Sequence, residues 1–293
     1  MKIPTITRFA PSPTGHLHLG HAHAALFAWR EAYDRGGHFL LRIEDIDRDR
    51  CRPEFERDLL ADLSWLGEEL EGFGWEQPVR RQSDCLDDYA QALARLEEMG
   101  LLYPCLCTRA HIRAEVEQAV AAPHGPDGPL YPGLCRGMAP EERAARREGG
   151  ESYALRLDVA KAVKLAMEME AGKDGPLEWR DVVKGIVVAQ PRIHGDVVLA
   201  RKDVATSYHL AVTLDDHIQG VNLVTRGEDL FSATHVHRLL QALLGLDVPD
   251  YHHHGLITGP DDRRLAKRDK AATLHGLRES SVTPAEVRKM AGF

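Results

Sequence analysis

Arg8-Phe9-Ala10-Pro11-Ser12-Pro13-Thr14-Gly15-His16-Leu17-His18-Leu19-Gly20-His21 is the stretch from which the rest of the chain is read. It opens in a short extended run whose apolar positions are Ile3, Ile6 and Phe9. Pro11, Pro13 and Gly15 are turn residues and end that run. Beyond the turn, Ala22, Ala25, Leu26, Trp29 and Tyr33 recur at helical intervals, and Gly36-Gly37 stops them. The pattern predicts strand, turn and helix, with His18 and His21 at the helix mouth. A helix N-terminus carries unpaired N–H groups and partial positive charge, so it favours phosphate. Imidazole N–H groups add donors, and Gly20 lets a nucleotide approach the backbone. Spacing alone fits a histidine-rich surface helix start as well, because short motifs recur by chance.

Working outward, Phe39-Leu40-Leu41-Arg42-Ile43 suits a buried parallel strand, which makes residues 3–45 a strand–helix–strand unit. Ligands of open parallel sheets bind at the carboxyl ends of the strands. Arg8 and Ser12 follow the first strand, and Glu44, Asp45 and Asp47 follow the second. Acidic groups there hold a ribose, a metal or an ammonium; for Asp49, ahead of Pro53, helix capping is the expected role. Phe55, Leu59, Leu60, Leu63 and Leu66 mark an amphipathic helix opening at Pro53. Trp65 and Trp75 read as packing residues. Arg81-Gln82-Ser83 reads as a structural cap before a helix that carries Leu86, Tyr89, Leu93 and Leu96 and stops at Gly100.

A Gly- and Pro-rich loop spans residues 121–133, between Cys105-Leu106-Cys107 and Tyr131-Pro132-Gly133-Leu134-Cys135. Three clustered cysteines, with Cys135 28 residues after Cys107, suggest a thiolate metal site. Zinc takes four ligands, and Tyr131, His111 and His124 are candidates for the fourth. Three free structural cysteines are the alternative, since C-x-C is a weaker signal than paired C-x-x-C. Cys51 and Cys85 read as buried small apolar residues.

Later elements repeat the first pattern. Tyr153 to Asp158 alternates as a half-buried strand, and Trp179 to Val188 reads as a strand pair broken by Gly185. The parallel sheet is expected to resume at Gly195 to Arg201. Ser207 opens a helix ending near Asp215-Asp216-His217, Val221 to Val224 is the next strand, and a leucine pattern closes at Gly245.

Composition bounds the class. The 293 residues are 43% hydrophobic and 28% charged, as in an ordinary soluble protein of one large domain or two joined ones. There is no signal-peptide pattern and no bilayer-length apolar run. Five cysteines without a disulfide framework predict the cytoplasm. A net charge of −8 is not the footprint of a nonspecific nucleic-acid binder, though a local basic face is compatible with RNA. Arg143, Arg146 and Arg147 read as a solvated helix face. Arg263, Arg264, Lys267, Arg268 and Lys270 form a second basic run.

Pro11 to His21, P-S-P-T-G-x-L-H-L-G-H, resembles the HIGH-type signature of class I aminoacyl-tRNA synthetases in its glutamyl form, with His18, Leu19, Gly20 and His21 at the four positions. R-I-E-D-x-D-x-x-R from Arg42 resembles the same branch, where the residue matching Glu44 contacts the amino group of glutamate. Y-H-L-A from Tyr208 and R-G-E-D-L from Arg226 match it too. The resemblance implies that Tyr208 stacks on and hydrogen-bonds the amino acid, and that Arg226 holds a carboxylate, which its planar fork suits. Arg264-Leu265-Ala266-Lys267-Arg268 resembles the second signature, with Arg264 and Ala266 departing from its Lys and Ser. Lys267 matches the lysine that neutralises the triphosphate. C-x-C-T-R followed by Y-x-G-x-C-R is similar to the zinc insertion of the short glutamyl-Q tRNA(Asp) synthetases, where the positions of Cys105, Cys107, Tyr131 and Cys135 bind zinc. Ala211-Val212 also fits these short paralogues, since many full-length glutamyl enzymes carry Asn at the position of Val212.

The fold this resemblance implies is α/β, a Rossmann-like parallel sheet split by a zinc-bearing insertion, with a short helical C-terminal extension. The expected division is 1–103 and 191–245 for the catalytic halves, 104–190 for the insertion, and 246–293 for the second-signature loop and extension. Only 25 residues follow Arg268, so no anticodon-binding domain is expected. The implied reaction forms glutamyl-adenylate from glutamate and ATP with Mg²⁺, then acylates queuosine in the anticodon of tRNA(Asp). Implied glutamate contacts are Arg8, Phe9, Ala10, Pro11, Ser12, Glu44, Tyr208 and Arg226. Implied ATP contacts are His18, Gly20, His21 and Lys267, of which His18, His21 and Lys267 are catalytic. A monomer is expected. The rivals are a minimal synthetase charging a tRNA 3′ end, a non-catalytic tRNA- or protein-binding paralogue, and transfer of activated glutamate to another acceptor.

Overall fold

The computed structural model describes residues 3–108, 110, 112, 124–126, 128–170, 175–201, 204–257 and 273–293. β1, Ile6–Phe9, lies parallel to β2, His38–Ile43, with Ile6 opposite His38 and Phe9 opposite Leu41. α1, Leu19–Tyr33, crosses between them and buries Ala22, Ala25, Leu26 and Trp29 in the core under the two strands. α2, Pro53–Leu66, leads to β3, Arg80–Arg81, a third parallel strand beside β2. α3, Leu86–Glu98, follows, and Gly100 leaves it with a positive φ of 67°.

The chain then builds a separate antiparallel sheet. β4, Leu102–Cys105, pairs with β7, Ala154–Leu157, and β7 pairs with β10, Val198–Arg201. A two-residue hairpin, β5 (His124–Gly125) and β6 (Gly128–Pro129), and α4, Pro140–Glu148, lie in the first connection. In the second lie α5, Val159–Met169, and the hairpin of β8, Glu178–Asp181, and β9, Gly185–Val188. The parallel sheet therefore does not resume at Gly195 to Arg201. An apolar strand buries its faces in either sheet type, so its composition carries no information about its partner.

A second parallel set comes later. α6, Tyr208–Ile218, capped by Ser207, precedes β11, Leu223–Gly227. α7, Ala233–Leu244, is buried along its whole length and ends at the left-handed Gly245. β12, Asp250–His254, pairs parallel with β11 and with β8. The sequence reading contains no strand at β12, because Tyr-His-His-His looks polar; Tyr251, His253 and His254 are nevertheless buried. β11 also starts and ends later than expected, so Arg226 lies within the strand. α8, Leu274–Glu279, and α9, Pro284–Met290, pack against α2 and α1, and Val287 is fully buried there.

The two parallel sets meet at β1 and β11. Asn222 stitches the seam: its Oδ1 accepts from Ile6 N at 2.8 Å and its Nδ2 donates to Pro4 O at 2.8 Å. The fold is thus mixed α/β with a parallel sheet whose strand ends face one side.

Three local expectations change. The N-cap at Pro53 is Arg52, without a side-chain hydrogen bond, and not Asp49. Arg81-Gln82-Ser83 does not cap α3, whose N-cap is Cys85. Gln82 and Ser83 instead donate to Asp215 and Asp45, holding the loop after β2 against α3 and α6. Cys51 and Cys85 are half-buried, not buried. Arg143 and Arg146 do sit on a solvent-facing helix, with Arg146 paired to Glu151. The second basic run, Arg263 to Lys270, lies outside the described residues. Among the described residues no helix is long and apolar enough to cross a membrane.

Candidate active site

The opening stretch leaves β1 at Phe9 and turns across the carboxyl ends of the parallel strands. Backbone bonds from Glu44 N to Pro11 O, 3.0 Å, and from Arg52 N to Pro13 O, 3.1 Å, brace it against the loop after β2. Between the two loops opens a cleft of about 360 Å³, whose lining includes Phe9, Ala10, Pro11, Ser12, His21 and Glu44. It shares Ile46 and Asp47 with a larger cleft of about 490 Å³, lined on its far side by Tyr208, His209, His194, Tyr131 and Arg156. Asp45 lines neither cleft, and its two oxygens accept from Ser83 N and Oγ.

His18 and His21 build the mouth of α1. His18 Nδ1 accepts from Gly20 N at 3.1 Å and His21 Nδ1 accepts from His18 N at 3.1 Å, a capping box made by two imidazoles. With Nδ1 accepting, a neutral ring carries its proton on Nε2, a donor. The rings lie 3.9 Å apart. A Cβ at Gly20 would stand 3.0 Å from His18 Cε1 and press on the imidazole. Lys267, Arg264 and Ala266 lie outside the described residues.

Beneath the cleft two arginines share one aspartate. Arg8 Nε and Arg42 Nη1 each lie 2.8 Å from Asp216 Oδ1, and Arg8 Nη1 donates to Thr225 O at 2.9 Å. Arg42 reaches Glu44 Oε1 at 3.3 Å. Burial works against the charge of Arg42, but Asp216, Glu44 and Asp215 outweigh it and raise its pKa. Burial pushes Asp216 up, and Arg8 and Arg42 overcome that, so its carboxyl is held below the usual range. Glu44 goes the other way: burial raises its pKa despite Arg42 and Arg8. Glu44 also lines the smaller cleft, where it is placed to meet a cation.

Arg226 is 6% exposed and is held by uncharged groups. Its Nε donates to His253 Nε2 at 3.2 Å; its Nη1 lies 3.3 Å from Tyr208 Oη and 3.3 Å from His237 Nδ1; its Nη2 donates to Thr234 Oγ1. Among the described residues no carboxylate lies within ion-pair distance of it. His253 Nδ1 donates to Asp181 Oδ2 at 2.7 Å. Burial, helped by Arg226, pushes the His253 pKa down to about 4, so the ring is neutral. Burial and Arg226 also hold His237 well below its ordinary value. Burial raises the pKa of Tyr208. The result is a fixed buried guanidinium whose plane is set from four sides, facing a phenol that stays protonated. That arrangement suits an incoming carboxylate.

The cysteines form a third centre. Cys105, Cys107 and Cys135 place their sulfurs within 4.8 Å of one another. Tyr131 Oη lies 3.4 Å from Cys105 Sγ and 3.7 Å from Cys107 Sγ, and Cys135 N donates to it at 2.9 Å. The Arg156 guanidinium covers the Tyr131 ring at 3.9 Å. Three soft sulfurs and one oxygen converging on one point fit a tetrahedral zinc ion. His111 lies outside the described residues, as does the side chain of His124.

Sequence reasoning singles out Arg8, Glu44, Tyr208 and Arg226; Glu44 lines one cleft and Tyr208 the other, while Arg8 and Arg226 are buried and line neither, Arg226 lying 3.3 Å from Tyr208 Oη. It misses the groups that orient them: Arg42, Asp216, Thr234, His237, His253 and Asp181. The Asp215-Asp216 pair and the 252–254 histidine run were the available signals.

The profile of the family described as tRNA synthetases class I (E and Q), catalytic domain, matches residues 4–290. A glutamyl-Q tRNA(Asp) synthetase of Rhodobacter capsulatus is 49% identical, over 98% of this chain and 100% of its own length. One of Symbiobacterium thermophilum is 43% identical, over 96% of this chain and 83% of its own. Among solved structures, a glutamate tRNA ligase from Elizabethkingia meningosepticum, in complex with its amino acid, matches with a TM-score of 0.75 at 28% identity. That match covers 99% of this chain and 60% of the ligase, so the chain spans less than two thirds of it. The chain belongs to the class I tRNA synthetase (E and Q) catalytic-domain family, and within it stands with the short relatives named glutamyl-Q tRNA(Asp) synthetase.

Proposed function

We propose that this chain activates L-glutamate with ATP and transfers the glutamyl group to queuosine in the anticodon of tRNA(Asp). In the first step a glutamate carboxylate oxygen attacks the α-phosphorus and pyrophosphate leaves. In the second a hydroxyl oxygen of the cyclopentene-diol attacks the acyl carbon and AMP leaves. The observation that carries the reading is Arg226, a buried guanidinium whose partners among the described residues are all uncharged. A substrate carboxylate completes it, while Glu44 takes the ammonium and Tyr208 donates its hydroxyl. Phe9, Ala10, Pro11 and Ser12 shape the glutamate cleft, and Arg8, buried on Asp216, supports it from beneath. His18, Gly20 and His21 receive the phosphates at the mouth of α1, with Lys267 of the second signature as a further charge. Mg²⁺ accompanies ATP and neutralises its phosphates. The choice of acceptor is supported by the names of relatives that match this chain over nearly its whole length.

Cys105, Cys107, Tyr131 and Cys135 hold one Zn²⁺ in this reading, supported by their convergence. The division into halves 1–103 and 191–245, insertion 104–190 and extension 246–293 is part of the same proposal. The hairpin β8–β9 hydrogen-bonds to β12 and so ties the end of the insertion into the second parallel set. The five free thiols support a reducing, cytoplasmic setting, where we place a monomeric enzyme. Charging of a tRNA 3′ end is the second reading, favoured by the likeness to a glutamate tRNA ligase.

Glutamate-dependent ATP–pyrophosphate exchange tests the first step. Exchange is expected with glutamate, and Arg226→Lys, which keeps the charge but loses the fork, is expected to raise the KM for glutamate about 100-fold. No exchange with any amino acid would leave a binding module.

A further inference from the structure

Behind the opening turn, away from both clefts, a second set of ligating side chains converges from three segments. His16 precedes α1, Asp58 and Asp62 lie one turn apart on α2, and His275 and Glu279 lie one turn apart on α8. One ligating atom each of His16, Asp58 and His275 falls within 4.8 Å of the others. The two imidazoles stack nearly parallel, 4.7 Å apart. His16 Nδ1 is shielded from solvent and makes no hydrogen bond among the described residues; Asp58 Oδ2 is 3.5 Å away. Both oxygens of Asp62, a fully buried carboxylate, also lack a hydrogen bond, although Arg278 Nη2 stands 3.2 Å from Oδ1.

We propose that His16, Asp58 and His275 bind a divalent transition-metal ion of the zinc class, which clamps α8 to α2. Mixed imidazole and carboxylate donors select such an ion over Mg²⁺ or Ca²⁺, which take oxygen. A metal-bound imidazole hands its other N–H to a carboxylate. His275 Nε2 already faces Glu279 Oε1 at 3.2 Å, leaving Nδ1 for the ion. Arg278 Nη2, now 3.3 Å from that Nδ1, then serves Asp62 alone. The charges agree as well: Asp58, Asp62 and Glu279 outnumber Arg278 and Arg57, whose Nε lies 3.9 Å from Asp58 Oδ1, and a cation offsets the excess. In a closed tetrahedral site, ligand atoms stand about 3.3 Å apart, so modest side-chain rotations complete it. The clamp sits where it matters. α8 follows residues 258–272, which include Lys267, and Leu274 N donates to Leu17 O at 2.8 Å while Thr273 bridges to His18. The ion would anchor one end of the second-signature segment beside the first signature.

Cobalt is the probe, added to the tag-free full chain after chelator treatment and dialysis. Thiolate-to-cobalt charge-transfer absorption reports the cysteine cluster, and total bound Co²⁺ reports both sites. Wild type is expected to bind two ions per chain. His275→Gln and Asp58→Asn are each expected to lose one ion and keep the charge-transfer band; Cys107→Ser is expected to keep one ion without it. Zn²⁺ is expected to raise the melting temperature of Cys107→Ser but not of the Cys107→Ser/His275→Gln double variant. Equal Co²⁺ binding by wild type, His275→Gln and Asp58→Asn would overturn the site. Loss of one ion with His275→Gln in a protein that never shows the thiolate band would sink the cysteine reading and sustain this one.

Discussion

At the strand ends of the parallel sets, buried charges meet counter-charges supplied by the chain itself. Asp216 faces Arg8 and Arg42, and Asp215 takes Arg80, Gln82 and Tyr89. At the Cys105 cluster, three thiols and a phenol meet mainly one another, with Arg156 above them. The first assembly is finished by folding, while the second has donors in place for an ion. Arg226 stands between the two cases: its geometry is fixed by protein, but its partners among the described residues are all uncharged.

The largest effect that would break this comparison is at Asp216. Asp216→Ala leaves two buried guanidinium groups without their shared carboxylate, and chemical denaturation is expected to show a loss of about 3–5 kcal/mol. A loss under ~1 kcal/mol would mean that water, not Asp216, serves the arginines. Next comes the metal. Relative to the zinc-saturated protein, losing the cysteine-bound ion, by chelation or by Cys135→Ser, is expected to lower apparent stability by about 3 kcal/mol, the linkage expected when the ion exceeds its dissociation constant a hundredfold. The same chelation of Asp216→Ala should subtract its cost independently, since the two assemblies share no side chain.

The smallest effect per step is in pH. Burial, with Arg226 beside one and His194 beside the other, pushes His253 and His235 down to about 4. The unfolded chain protonates these rings near 6.5, so it binds more protons than the folded chain between 6.5 and 4. Stability is therefore whole above about pH 6.5 and falls as pH drops, by about 1.4 kcal/mol per pH unit for each such histidine. Denaturation midpoints that stay flat from pH 7 to 5 would contradict neutral histidines around Arg226.

Legibility follows the range of the interactions. The strand, turn and helix around Pro11 to His21 are readable because turn residues and helical period are local signals. Ser207 as a cap and Gly245 as a stop are readable for the same reason. The partner of β10 is not, since an apolar strand looks alike in both sheet types. β12 is not, since buried histidines carry no apolar mark. The surroundings of Arg226 come from α6, α7 and β12, and those of Asp216 from β1 and β2, so no spacing announces them. Tyr131 reaches the cysteines only through a turn that brings Cys135 N onto its oxygen.

The most direct test is transfer of labelled glutamate, with ATP, to two tRNA pools, one from cells able to make queuosine and one from cells unable to do so. The account predicts label only in the queuosine-containing pool. Equal label in both pools, released on hydrolysis of the 3′ end, would contradict it and establish a short synthetase that charges tRNA.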